Sequence, residues 1–111
     1  MQIGSRELTL RDGGNAIKIP VRLFMPRLDA AGAWGCRYEI DWPDKMSAKE
    51  IFGFDSMQAI VLALQMIGFE IYTSEYHESG RLYWDKRGNG YGFPVMSEYR
   101  DLLQSDDAKY L

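Results

Sequence analysis

Three glycines at alternate positions, in the run Gly88-Asn89-Gly90-Tyr91-Gly92-Phe93-Pro94-Val95, resemble in spacing the loops that turn backbone amides towards a phosphate. That chemistry needs a helix N-terminus to follow, so that amides and dipole meet the anion together. Phe93-Pro94-Val95 follows instead, with no Lys-Ser or Lys-Thr pair, and the run is expected to be a structural loop of positive-φ turns. His77, flanked by Glu75 and Glu78, is the one histidine. No second histidine or cysteine pair completes a zinc set around it, so it reads as a solvent-exposed loop residue. Cys36 shares a strand face with Trp34 and Tyr38 and reads as a small core residue rather than a nucleophile. Ser56, in Gly53-Phe54-Asp55-Ser56-Met57, lacks the second glycine of a nucleophile elbow and is better explained by helix capping. Asp41 with Asp44, and Asp106 with Asp107, lack the filled spacing of a calcium loop and read as solvated surface. The expectation is no catalytic residue, no cofactor and no metal.

The chain that must position these residues has 111 residues, with 46% hydrophobic, 14% aromatic and 26% charged side chains. This is a globular composition, and the length suits a single domain over residues 1–111. Thirteen basic against sixteen acidic residues give a net charge of -3, a field that disfavours nucleic acid. The strongest apolar stretch, Ala59 to Leu64, stops at Gln65, too short to cross a bilayer. The first residues lack a secretory pattern, and a lone cysteine suits a reducing compartment. The expected location is the cytoplasm, with no membrane partner.

Strands come first. Leu8 and Leu10 alternate with Glu7, Thr9 and Arg11, and Asp12-Gly13-Gly14-Asn15 supplies a hairpin turn. The return run sets Ile17, Ile19, Val21, Leu23 and Met25 on one face, with Pro20 implying an unpaired edge or a bulge there. A loop is expected from Pro26 to Ala33. Trp34, Cys36, Tyr38, Ile40 and Trp42 define a third strand; Met46 to Phe54 is either a fourth strand or an extended connection. Asp55 with Gln58 signals a helix start, and Ile60, Ala63, Leu64, Ile67 and Ile71 form its apolar stripe. Gly68 either ends the helix or is tolerated within it, and the stripe continuing through Ile67 and Ile71 favours a helix that runs to about Thr73, leaving Val61 and Leu62 either covered by another segment or at a contact between chains. Arg81 to Trp84 reads as a short strand. The tail should form a short helix around Glu98 to Gln104 and fray after Ser105. The predicted fold is α+β: an antiparallel sheet of about four or five strands with one main helix packed on one face.

Aromatic residues crowd the second half, and tyrosine and tryptophan are enriched at protein interfaces. Tyr72, Tyr76, His77, Arg81, Tyr83, Trp84, Tyr91 and Phe93 form the candidate contact surface for a protein partner or for self-association. The alternative is a small-molecule pocket or an unrecognised enzyme, with Ser74, His77, Arg81 and Trp84 converging between the helix end and the glycine loop. A homo-oligomer joined through Val61 and Leu62 is a third arrangement.

The motifs Gly53-Phe54-Asp55-Ser56-Met57-Gln58-Ala59, Leu62-Ala63-Leu64-Gln65, Ile67-Gly68, Tyr72, Ser74, His77, Gly80-Arg81-Leu82-Tyr83-Trp84 and Gly90-Tyr91-Gly92-Phe93-Pro94-Val95 resemble a family of small bacterial proteins classed as a domain of unknown function, over roughly residues 50 to 95. The resemblance implies a bacterial, cytosolic setting and a compact α+β fold, and transfers no activity. In size, acidity and lack of catalytic groups the chain is similar to immunity proteins that neutralise toxins, an analogy that assigns no residue.

Overall fold

The structure, a computed structural model, describes residues 1–111. Strands β1 (Gln2–Asp12) and β2 (Asn15–Phe24) form the predicted hairpin, with Asp12 opposite Asn15 across the Gly13-Gly14 loop. The chain continues through Met25-Pro26 into a two-residue strand, β3 (Arg27–Leu28), inside the segment expected to be all loop. Asp29 then closes the turn, its Oδ1 accepting from the amides of Ala31 and Ala33 at 2.9 Å each. β4 (Trp34–Asp41) pairs on one edge with β3 at its start and β2 at its end; on the other it pairs with β5 (Met46–Gly53) along its whole length. The ambiguous segment is therefore a strand. All pairings are antiparallel, and β6 (Leu82–Tyr83) adds to the far side of β1. Pairing of β2 with β4 begins at Val21, so Pro20, which has no amide hydrogen to give, sits where that edge of β2 is free.

One face of the sheet is polar, as expected of an antiparallel sheet covered on one side. Arg22 there holds Asp41 at 2.7 Å and Glu39 at 3.0 Å. The other face carries Leu8, Leu10, Ile19, Val21, Cys36, Tyr38 and Ile40, all buried, and helix α1 (Ser56–Tyr72) packs on it over β4 and β5. The start of α1 follows from Asp55, whose carboxylate accepts from the Gln58 amide at 2.7 Å, while Gln58 Oε1 accepts from the Phe54 amide at 2.6 Å. Such reciprocal caps satisfy donors that a helix leaves free, each worth about 1 kcal/mol.

The buried stripe of α1 is Ala59, Ala63, Ile67 and Ile71, with Gly68 and Tyr72 beside it. Ile60 and Leu64, expected in the stripe, lie half-buried on its flank. The reason is spacing. β5 leads into α1 so directly that a side chain at Gly53 would meet the Ala59 amide nitrogen at 2.6 Å, and only alanine faces fit that approach. Farther along, Ile67, Ile71 and Tyr72 join the main core, which the segment carrying Tyr91, Phe93 and Val95 completes.

Helix α2 (Glu75–Glu78) follows α1 at once. The helical piece expected around Glu98 to Gln104 is a 3-10 turn (Ser97–Leu102), and the residues expected to fray after Ser105 instead form helix α3 (Ser105–Tyr110). What holds α3 is a buried carboxylate.

Candidate functional site

The eight residues of the expected contact surface separate into an interior group and a rim. Tyr72, Tyr91 and Phe93 are buried in the main core. The cause is a period of two: Tyr91, Phe93 and Val95 point inward while Gly92 and Pro94 are only half-buried, the pattern of an extended segment lying on an apolar layer. On the rim, Tyr76 stacks on Trp42 with ring centroids 4.9 Å apart and donates to Asp44 at 2.5 Å. That hydrogen bond raises the Tyr76 hydroxyl to about 12. Arg81 reaches the β1–β2 hairpin, donating to the Arg11 carbonyl at 2.8 Å. Tyr83 is half-buried on β6, and Trp84 is 41% exposed. The Arg6 guanidinium lies 4.0 Å over the Trp84 ring and donates to the carbonyls of Tyr91 and Gly92 at 3.1 and 2.9 Å, which fastens the glycine loop to β1.

His77 departs from the expected exposed loop position. It lies on α2, half-buried, its Nδ1 sharing a 2.5 Å hydrogen bond with the Tyr91 hydroxyl. Ser74 caps α2, accepting from the His77 amide at 3.1 Å and donating to the Ile71 carbonyl at 2.7 Å. With Arg81 and Trp84 directed to β1, these four side chains do not converge. The cleft beside His77 is lined by Arg87, Gly88, Tyr91 and Gln104 instead.

Burial lowers the His77 pKa below its ordinary 6.5, against a smaller opposing pull from Glu78. Folding therefore favours the neutral ring, and in the affected range the unfolded chain binds the extra proton. Stability is full above 6.5 and falls as pH drops from there towards the folded value. His77→Gln, which keeps a polar partner for Tyr91 and removes the titration, should flatten the stability profile between about pH 7.5 and 5.5 in denaturant melts. Identical slopes in the two proteins would contradict this assignment.

Two polar centres escaped the sequence reading. Glu70, the one acid on the sheet side of α1, accepts from the Tyr38 hydroxyl at 2.7 Å and Trp42 Nε1 at 3.0 Å, with Lys49 Nζ at 3.4 Å. Burial pushes its carboxyl up, but bonds from Trp42, Tyr38 and Ser47 and the Lys49 charge outweigh that and leave it below 4.5. Asp107, expected at the solvated surface, is 3% exposed. Its Oδ2 accepts from the Tyr72 hydroxyl at 2.5 Å and the Tyr91 amide at 2.8 Å, and its Oδ1 from the Gly92 amide at 2.8 Å. Cys36 is buried as expected, and burial pushes its thiol pKa up.

A group of exposed apolar side chains lies at the opposite edge of the sheet, where β5 enters α1. Phe54 is 95% exposed, Met57 74% and Val61 51%, with Phe52 beside them. Phe52, Phe54 and Leu62 line one depression with Ala31 and Ala33. Of the two residues flagged as needing a cover, Val61 is open to solvent and Leu62 is half-buried.

Fold and site together define a small α+β domain with a braced, filled interior at one end and an uncovered apolar corner at the other. The chain belongs to the family described as Domain of unknown function (DUF6968), whose model matches residues 4–95. The match takes in all of the sheet but the first two residues of β1, together with α1, α2 and the glycine loop, beyond the half that the motifs suggested. No curated protein and no solved structure matches the chain. No helix is long and apolar enough to cross a membrane.

Proposed function

We propose that this domain is a non-catalytic protein-binding module whose contact surface is the apolar corner of Phe52, Phe54, Met57 and Val61. The observation that carries the reading is Phe54, 95% exposed between the edge strand β5 and the first turn of α1, with Met57 in that turn exposed as well. Scattered apolar side chains are normal on a surface, whereas Phe52 and Phe54 line one depression with Leu62, and exposed apolar side chains grouped around a depression mark a site of association. Covering Phe54 alone would contribute roughly 1.5–3 kcal/mol, and aromatic and methionine side chains are the types enriched where proteins meet. The side chains best equipped for reaction chemistry already have structural partners. Ser74 caps a helix, the Cys36 thiol faces the Phe24 carbonyl, His77 is braced by Tyr91, and Glu70 and Asp107 are saturated with donors.

The test uses the full chain carrying Phe54→Ser and Met57→Ser together. Both residues are exposed, so folding stability should change by no more than about 0.5 kcal/mol. In extracts of cells that express it naturally, the wild type should elute on size exclusion as a species larger than its 12.8 kDa, and the double variant as the free chain. A partner of another kind and a second copy of the chain are told apart by the mass of the larger species. Identical elution of wild type and variant would overturn the reading.

A further inference from the structure

The glycine loop does bind an anion, and the anion belongs to the chain itself. Gly90 and Gly92 have φ of 83° and 77°, and these left-handed turns aim the consecutive amides of Tyr91 and Gly92 at one carboxylate, forming an anion-binding nest. The fit is close: a Cβ at Gly90 would stand 2.4 Å from the Asp107 carboxyl carbon. Three donors meet two oxygens, the amides taking one each and the Tyr72 hydroxyl sharing Oδ2. The Tyr72 hydroxyl also accepts from the Gln104 amide at 3.2 Å. Burial and the bond to Asp107 raise the Tyr72 pKa above its ordinary 10, so it stays a donor at physiological pH.

The occupant is held more loosely than its receptor. Asp107 is the only buried residue of α3, and the helix is entered through Ser105 at φ 49°, a left-handed conformation that strains any residue but glycine. The remaining ties, from Asn89 to Asp106 and Ser105 and from Arg100 to the Ala108 carbonyl, lie at the surface. The receptor, Tyr72 with Gly90 to Gly92, lies within residues 4–95, and Asp107 lies beyond them.

We propose that the Tyr91 and Gly92 amides and the Tyr72 hydroxyl form a carboxylate-binding site, and that helix α3 is its built-in, displaceable ligand. A carboxylate fits better than a phosphate on two grounds. The paired amides match two coplanar oxygens, and the adjoining cleft carries Glu7, Asp85 and Asp106 against one cation, Lys18, itself paired with Glu7 at 3.6 Å, a net negative lining that disfavours a dianion. The nearest guanidinium, Arg6, is committed to the carbonyls of Tyr91 and Gly92. The ligand that displaces the tail is thus a single carboxylate, free or carried on an acidic peptide.

The experiment is a sodium acetate titration of the full chain carrying Asp107→Ala, followed by the amide resonances of Tyr91 and Gly92, with sodium chloride at matched ionic strength as reference. Acetate should shift both resonances saturably and raise the melting temperature of the variant. The wild type and Asp106→Ala, in both of which Asp107 competes for the same donors, should show the same shifts only at higher acetate concentrations, together with faster hydrogen exchange in α3. A peptide of the sequence Gln104 to Leu111, added in trans, separates the two sources: binding tighter than acetate assigns the site to acidic peptides, and equal binding to small carboxylates. If Asp107→Ala does not fold, Asp107→Asn keeps the side-chain volume but turns an amide NH2 towards the donors. Acetate should then shift the same two resonances and speed hydrogen exchange in α3. A folded variant whose Tyr91 and Gly92 amides respond to acetate no more than to chloride would overturn the proposal.

Discussion

Gly68→Ala should destabilise the domain by roughly 2–3 kcal/mol, although alanine is the better helix former by about 1 kcal/mol. At an exposed helical glycine the substitution would stabilise. At Gly68 a Cβ would stand 1.9 Å from the Pro94 carbonyl oxygen and 3.2 Å from the Phe93 Cβ. The obstacle is backbone, so it cannot be relieved by rotating a side chain. The Phe93-Pro94 segment would have to move off α1, withdrawing Phe93 and Val95 from the core they close. Against a total stability of about 5–15 kcal/mol for a domain of this kind, the loss is visible as a lower denaturant midpoint with an unchanged slope. A gain in stability would mean that the segment does not seal α1 in solution.

Glu70→Ala should cost about 3 kcal/mol, because it strands several partners at once. The Tyr38 hydroxyl, fully buried, and Trp42 Nε1 lose their acceptor, and Lys49 loses its counter-ion. Glu70→Gln keeps one acceptor oxygen and should lose less, about 1 kcal/mol. The pH dependence carries a second signature. A carboxyl whose folded value lies below its unfolded value of about 4.5 stabilises fully above that value, and the contribution is lost as pH falls through the folded one. Part of the acid limb of the stability profile should therefore disappear in Glu70→Ala. Glu39 and Asp41, held below their ordinary values chiefly by hydrogen bonds from Arg37 and Arg22 respectively, supply the part that remains. Equal acid limbs in wild type and variant would contradict the role given to Glu70.

How much of this was readable beforehand follows from the range of each interaction. The β1–β2 hairpin, β4 and the start of α1 depend on neighbours a few residues apart, and alternation and capping chemistry revealed them. β5 was ambiguous because Ser47 and Lys49 face the covered side of the sheet, where they serve Glu70 instead of an apolar core, and this breaks the alternation. The helix stripe was misjudged by one position at its start, because the close approach at Gly53 selects Ala59 over Ile60. Asp107 was beyond reach, since its partners stand 15 to 35 residues away and nothing near it in sequence distinguishes it from Asp106. The aromatic cluster was visible as a composition but not as an orientation. Its inward residues were nevertheless marked by the alternation of Tyr91, Phe93 and Val95, a signal that the intervening Gly92 and Pro94 obscured.

The corner at Phe54 is the part of the account on which function turns, and it is tested most directly by site-specific photocrosslinking in living cells. The photoreactive residue benzoyl-phenylalanine would replace Phe54 in one full-length variant and Trp84 in another. The two positions mark opposite ends of the molecule, and both side chains are exposed. The predicted result is a discrete polypeptide adduct from position 54 that Met57→Ser diminishes, with no comparable adduct from position 84. An adduct formed at Trp84 alone would move the contact surface to the aromatic end and contradict the assignment made to the corner.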